Sequence, residues 1–190
     1  KDLQIGYYCM LEGTKGPLEL LELAEKAEKA GFTHLSASDH FHPWRDSDTY
    51  ATFPWTWISS VLERSDDLVV GTGVTCPILR YHPGIIAQAF ATMDNMYPGR
   101  VFLTVGTGET LNESPLGNEW PSYSERKGRL IEAIKIIRRL WKGDFVDFGG
   151  KYYELDKAKL YTPPETEVPI YVAAWGRKSA NVAGRYADGF

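Results

Sequence analysis

Short apolar runs alternate with amphipathic stretches along this chain, and this order restricts the fold more than any other feature of the sequence. The apolar runs predict buried strands, and after each of them apolar residues recur every three to four positions, as in a helix. The predicted strands are residues 3–8, 33–37, 67–74, 100–105 and 169–173. Alternating strands and helices favour right-handed crossovers and a parallel sheet, so the predicted fold class is α/β.

The predicted helices cover residues 17–30, 55–64, 83–96, 123–141 and 178–187. Pro17 suits the first turn of the first helix, and Gly31 suits the position after its end. Ser124 is the predicted cap of the fourth helix. Two short runs on either side of a Gly-Gly pair predict a β-hairpin over residues 145–155, and residues 188–190 predict the start of a sixth strand.

This alternation predicts a (β/α)8 TIM barrel of which the chain holds about the first five units. A closed barrel of this kind takes about 250 residues, whereas the chain has 190. We therefore expect residues 1–190 to be a single domain, the N-terminal part of a barrel in a longer protein. A five-stranded doubly wound domain is the alternative, although the turn Gly6-Tyr7-Tyr8-Cys9 lacks the glycine spacing of a phosphate-binding loop.

The composition argues against several classes of protein. A net charge of −4 with no Lys/Arg cluster offers no basic face for nucleic acid. No apolar run approaches the roughly 20 residues of a membrane helix, and no signal-like apolar region lies near Lys1. Cys9 and Cys76 are too few and too far apart for a disulfide framework. We expect a cytoplasmic protein that acts on a small molecule, without nucleic acid or membrane partners.

Residues able to carry chemistry follow the predicted strands at their carboxyl ends, where barrel enzymes hold their active sites. Asp39, His40 and Trp44 follow the second strand, and Glu109 follows Gly106-Thr107-Gly108 after the fourth. An imidazole with a pKa near 6.5 can take up a proton at neutral pH, and a carboxyl can donate or accept one. These positions predict acid–base chemistry at His40 and Glu109.

Three further features of the sequence are candidate binding sites. His42 forms a His-x-His pair with His40, but a metal site needs three or four ligands, so we predict no metal. Glycines at 71 and 73 within a strand indicate a bulge or a close approach of the backbone. Trp175-Gly176-Arg177 opens the last helix, where unpaired N–H groups favour an anion. A solvated helix start is the alternative interpretation.

Three stretches in order carry a family resemblance: Ser-Asp-His-Phe-His-Pro-Trp at 38–44, and the sequences of residues 80–93 and 97–112. With them the whole chain resembles the luciferase-like α/β barrels that use the deazaflavin coenzyme F420. Within that family it is most similar to the F420-dependent glucose-6-phosphate dehydrogenases and the F420-dependent secondary alcohol dehydrogenases.

The resemblance implies an oxidoreductase that transfers a hydride from a hydroxyl-bearing carbon to the deazaflavin. His40 would remove the hydroxyl proton, Glu109 would protonate the ring, and Trp44 would stabilise the charged intermediate or position the substrate. Glu12 would join Trp44 in the substrate pocket, and a cis non-proline peptide would lie near Gly73. Asp39 would bond the coenzyme or orient His40. The implied coenzyme-binding residues are Asp39, Gly73, Val74, Cys76, Gly108, Asn112, Ala174 and Gly176. The family also suggests a homodimer.

The resemblance favours glucose 6-phosphate over a simple secondary alcohol as substrate, without deciding between them. Residues 106–112 and 146–148 resemble the sugar-phosphate enzymes, whereas residues 75–80 and 156–158 resemble the alcohol dehydrogenases. The chain departs from the family pattern at Trp175 and Arg177, where small residues are usual. An FMN-dependent luciferase-like monooxygenase and a non-catalytic half-barrel that binds a ligand remain as alternatives.

Overall fold

The computed structural model describes residues 4–190, so position 3 of the first predicted strand lies outside the described residues. The strands are β1 (Gly6–Cys9), β2 (Glu12–Gly13), β3 (His34–Ala37), β4 (Tyr50–Ala51), β5 (Val69–Thr72), β6 (Val101–Val105), β7 (Val146–Gly149), β8 (Glu154–Ala158) and β9 (Ile170–Val172). The helices are α1 (Pro17–Lys29), α2 (Pro54–Arg64), α3 (Pro83–Met96), α4 (Thr110–Glu113), α5 (Tyr123–Leu140) and α6 (Arg177–Tyr186), with a 3₁₀ turn at Ser114–Leu116.

Five parallel strands form the main sheet in the order β1-β3-β5-β6-β9. This spatial order follows the chain without reversal, whereas a doubly wound sheet reverses direction at a switch point, so that alternative is wrong. A parallel bridge between Tyr171 and Gly189 confirms the predicted start of a sixth strand. Because all five strands run the same way, their carboxyl ends meet at one edge of the sheet.

The core lies between the sheet and the helices that cover one of its faces. Alternate strand residues point to opposite faces, and Leu35, Val70 and Leu103 on the covered face are completely buried. They belong to one apolar cluster with Phe90 of α3 and Ile134 of α5. Burial of this kind stabilises the fold by about 25 cal/mol for each Å² of apolar surface removed from water. The core therefore holds the strand ends in fixed positions.

The structure corrects some predicted bounds and adds short elements. The third predicted strand, residues 67–74, is shorter in the structure and spans Val69–Thr72. Ser122, and not Ser124, caps α5: its hydroxyl oxygen accepts the N–H of Glu125 at 3.3 Å. The elements β2, β4 and α4 have no signal in the sequence, since two to four residues are too few to show a period. The predicted hairpin is confirmed as β7 and β8.

None of the helices in the described part of the chain has both the length and the apolar character that a membrane span requires.

Candidate active site

A cavity of about 520 Å³ lies at the carboxyl edge of the sheet. Ten of the twelve predicted site residues line it: Glu12, Asp39, His40, Trp44, Gly73, Val74, Cys76, Gly108, Glu109 and Asn112. The other two, Ala174 and Gly176, do not line it, although their neighbours Ala173 and Trp175 do. The prediction that residues from separate strand ends converge at one edge is confirmed.

His40 lies between two carboxylates. Its Nδ1 is 2.9 Å from Oε1 of Glu12, and its Nε2 is 3.6 Å from Oε2 of Glu109. The Trp44 ring meets the imidazole edge to face, with 5.4 Å between the ring centres. Glu12 is buried, whereas Glu109 is half-exposed at the opening of the cavity. The arrangement therefore gives the imidazole one carboxylate on the protein side and another on the cavity side.

These contacts shift the pKa values of the buried pair in opposite directions. Burial alone lowers the pKa of His40, but its contact with Glu12 and the nearby charges of Glu109 and Asp39 outweigh burial and raise the pKa above its ordinary value. Burial alone raises the pKa of Glu12, but its contacts with His40 and Ser38 outweigh this and lower the pKa. Both shifts favour an imidazolium beside a carboxylate, so His40 is a stronger base than a free histidine.

Glu12 is the first residue of β2, which places its carboxylate near the end of β3 and within reach of His40. The Ser38 hydroxyl donates to Oε2 of Glu12, and the same hydroxyl oxygen accepts the N–H of Leu11 at 2.8 Å. The structure thus places Glu12 against the imidazole itself. The sequence carries only a weak signal for this contact, because β2 has two residues and pairs with the distant β4.

Asp39 does not contact the imidazole ring. Its completely buried carboxylate accepts from the hydroxyl of Thr75 at 2.7 Å and from Nη2 of Arg80 and the hydroxyl of Tyr81, both at 3.0 Å. Burial raises the pKa of Asp39, although these three donors oppose the effect. The His40 ring is instead contacted by Glu12. The two roles expected of Asp39, a coenzyme contact or the orientation of His40, stay predictions.

Glycines allow the backbone to pass close to neighbouring atoms along one wall of the cavity. The Gly73–Val74 peptide is cis, as the resemblance implies. A Cβ at Gly71 would overlap the carbonyl oxygen of Phe102, which confirms the predicted close approach. At Gly108, φ is +73° and a Cβ would overlap the Cys76 sulfur, so only glycine fits above this buried thiol.

Asn112 uses both ends of its buried side-chain amide within the site. Its Oδ1 accepts the N–H of Phe41 at 2.8 Å, and its Nδ2 lies 3.4 Å from Oε2 of Glu109, to which it donates. The Asn112 amide therefore links the backbone next to His40 with the carboxylate of Glu109. A contact of Asn112 with the coenzyme tail stays a prediction.

Gly176 is the N-cap of α6 and lies beside a second depression of about 360 Å³. Cationic residues of α5 and α6 line this depression, among them Lys127, Arg177, Lys178 and Arg185. Phosphate binding at Gly176 stays a prediction. His42 stacks on the neighbouring Phe41 with 17° between the rings. Within residues 4–190, no group of three or more His, Cys, Asp or Glu side chains is arranged to hold a metal ion.

Comparison with known proteins identifies the family. Residues 5–190 match the sequence profile of the family described as "Luciferase-like monooxygenase". The chain belongs to this family. It is 50% identical over its whole length to the F420-dependent glucose-6-phosphate dehydrogenase of Mycolicibacterium fortuitum and 49% identical to that of Mycobacterium tuberculosis strain H37Rv. In both cases it covers 56% of the relative, so this luciferase-like chain spans little more than half the length of these proteins.

Solved structures agree with this family assignment. An F420-dependent secondary alcohol dehydrogenase in complex with an F420-acetone adduct is 46% identical and has a TM-score of 0.94 over 97% of this chain and 56% of its own. The F420-dependent tetrahydromethanopterin reductase of Methanopyrus kandleri is only 21% identical, with a TM-score of 0.85 over 100% of this chain and 55% of its own, and shows the fold alone. The predicted fold class, a luciferase-like barrel present in part, is confirmed.

The luciferase-like chain also holds site residues that sequence reasoning missed. Arg80 and Glu113 are almost completely buried behind His40, and the Arg80 N–H donates to Oε2 of Glu113 at 2.9 Å. Burial raises the pKa of Glu113, against the opposing effect of Arg80. The sequence offers one signal for Arg80, which directly follows the apolar Pro77-Ile78-Leu79. An arginine is seldom buried unless it is paired, so one beside a buried run indicates an acidic partner.

Proposed function

We propose that the protein containing this chain is a coenzyme F420-dependent dehydrogenase that oxidises a hydroxyl-bearing carbon, with glucose 6-phosphate as the favoured substrate. The observation that carries the proposal is the imidazole of His40 between Glu12 and Glu109, with Trp44 beside it. Similarity to F420-dependent glucose-6-phosphate dehydrogenases over the whole chain supports the choice of coenzyme and substrate.

When bound, the deazaflavin would supply the acceptor for the hydride that leaves the substrate carbon. His40 takes the hydroxyl proton at Nε2, because Nδ1 is occupied by its contact with Glu12. Glu12 keeps the proton of the neutral ring on Nδ1 and so leaves the Nε2 lone pair available. Glu109 is half-exposed on the Nε2 side of the imidazole and would donate a proton to the reduced coenzyme. Trp44 lies beside the imidazole and would hold the substrate against it.

The cavity has the features that a flat ring requires. Gly73, Gly106 and Gly108 line it without side chains that would project between ring and backbone. The buried amide of Asn112 and the buried carboxylate of Asp39 lie at the same cavity. We propose that these residues, with Cys76, Ala174 and Gly176, form the coenzyme site. The described residues therefore fit a deazaflavin.

A secondary alcohol is the second candidate substrate, favoured by the TM-score of 0.94 with the secondary alcohol dehydrogenase. On the basis of the resemblance, we also propose that the chain is one domain, the N-terminal part of an eight-stranded barrel, and that the full protein is a cytoplasmic homodimer.

The test is anaerobic mixing of the full-length protein with oxidised F420 and with glucose 6-phosphate or 2-propanol in turn, while the visible absorbance of the coenzyme is followed. Loss of absorbance with one substrate identifies it. Absence of bleaching with both would remove the dehydrogenase proposal. FMN that copurifies and supports oxygen uptake would favour the monooxygenase alternative.

A further inference from the structure

Both peptide groups that flank the Cα of His40 are held by side chains from other parts of the chain. Before His40, the carbonyl oxygen of Asp39 accepts from Nη2 of Arg80 at 3.0 Å. After it, the N–H of Phe41 donates to Oδ1 of Asn112 at 2.8 Å. Because two peptide planes define φ and ψ of the residue between them, these bonds determine the backbone conformation of His40.

The segments that carry these two side chains are also joined to each other. Glu113 follows Asn112 in α4, and its carboxylate accepts the backbone N–H of Arg80 at 2.9 Å and lies 3.4 Å from Arg80 Nε. The Nδ2 of Asn112 donates to Glu109 at 3.4 Å. One short helix therefore connects the backbone of His40 to the carboxylate that faces its Nε2.

The charged side chains of Arg80, Asp39 and Glu113 are largely removed from water. The Arg80 side chain is 6% exposed, and those of Asp39 and Glu113 are 0% exposed. Burying charged groups costs desolvation energy that ion pairs often fail to recover, and apolar residues of similar volume are frequently as stable. Stability is therefore a poor explanation for a cluster of this kind directly behind His40.

We propose that Arg80 and Asn112 are positioning residues, which fix the imidazole of His40 and its distance from Glu109. This inference rests on the proposed function for its effect on turnover. A displacement of about 1 Å can cost roughly 100-fold in rate. Neither residue needs to contact the reacting carbon to have this effect, because each acts through a peptide group beside His40.

Arg80→Lys and Asn112→Ala test the inference in the full-length protein. A lysine keeps the charge but lacks the planar fork that reaches Asp39 and Glu113 together. Alanine at 112 removes both bonds of the amide and adds no bulk. We expect each variant to lower kcat by about 100-fold. The Kd for oxidised F420, measured by fluorescence without substrate, should change by less than about threefold in Arg80→Lys. In Asn112→Ala the Kd reports the proposed coenzyme contact, so there the positioning role is read from kcat at saturating coenzyme.

Arg100→Lys and Asn95→Ala are the matched controls. Arg100 donates to the backbone carbonyl oxygens of Ser65 and Leu68, and Asn95 donates to those of Ala91 and Pro163, all outside the residues that line the cavity. A loss of kcat in the controls equal to that in the test variants, at matched unfolding midpoints, would assign Arg80 and Asn112 a structural role only. If Arg80→Lys does not fold, Asn112→Ala decides the question alone.

NMR titration of the His40 imidazole separates this inference from the proposed function. Loosening the ring weakens its contacts with Glu12 and Glu109, so the raised pKa of His40 should fall in both test variants and not in the controls. An unchanged titration in both test variants would overturn the positioning role. If the wild-type protein turns over neither substrate but the pKa of His40 falls in the test variants, the dehydrogenase proposal is overturned and the positioning role stands.

Discussion

At the carboxyl edge of the sheet, the charged side chains behind His40 are buried and contact one another. At the amino edge, Glu28 is partly exposed and bonds to the backbone. Asp39 and Arg80 at the first edge are almost wholly removed from water. At the second edge, Oε1 of Glu28 accepts the N–H groups of Asp66, Asp67 and Leu68 at 2.9 to 3.2 Å.

The difference teaches what each edge does. At the amino edge, the Glu28 carboxylate and the Arg100 guanidinium bond to the backbone of residues 65–68. These bonds stabilise the turn before β5, at little desolvation cost. Charges assembled at the carboxyl edge instead perturb the pKa values of His40 and Glu12, and such perturbed groups in a cleft are typical of functional sites. The comparison predicts that changes at one edge alter turnover and that changes at the other alter stability.

The largest expected effect is that of His40→Ala. Loss of a general base costs about 10²- to 10⁴-fold, so kcat should fall by about 10³-fold while the Kd of the coenzyme changes little. The matched control is His34→Ala, at the opposite end of the same strand β3, where the ring hydrogen-bonds to the neighbouring Thr33. Equal losses of turnover and coenzyme affinity in His40→Ala would make His40 a binding residue.

Glu12→Gln should lower turnover by roughly tenfold at neutral pH, because His40 becomes a weaker base. Glu12 raises the pKa of His40, so without its charge the acidic limb of kcat/KM against pH moves to lower pH. Stability provides a second measurement. The ion pair contributes while Glu12 is ionised and His40 protonated, so the difference in unfolding free energy between wild type and variant should shrink as pH rises through the raised pKa of His40.

That difference should also shrink as pH falls through the lowered pKa of Glu12. A variant whose acidic limb stays in place would show that Glu12 does not set the basicity of His40. Glu19→Gln serves as the control, since the Glu19 carboxylate accepts the N–H of Gly16 at the start of α1, at 2.9 Å.

The smallest effect on turnover is expected for Glu28→Ala at the amino edge. Removing the acceptor of three N–H groups should lower the free energy of unfolding by about 1–2 kcal/mol, measured by urea denaturation, with kcat unchanged below the midpoint. Glu22→Ala on the exposed side of the same helix α1 is the control and should change neither quantity. A fall in kcat for Glu28→Ala would break the distinction between the two edges.

The periodicity of the sequence was enough to predict the parallel sheet, its five strands and the helices between them. It was also enough to place His40, Trp44 and Glu109 at one cavity, because the carboxyl ends of parallel strands share an edge. Each of these inferences uses residues close together in the chain or a rule that holds for every parallel sheet. The catalytic roles of the three residues stay predictions.

Contacts between distant segments had to come from the tertiary structure. Arg80 lies 41 positions from Asp39, and Ser38 lies 26 positions from Glu12, with no periodic pattern linking either pair. Choosing Glu12 over Asp39 as the partner of the His40 ring depends on two-residue strands too short to detect. Local pattern thus determines which elements form and which edge they share; side-chain partners are decided by packing, since only the folded core brings those groups within bonding distance.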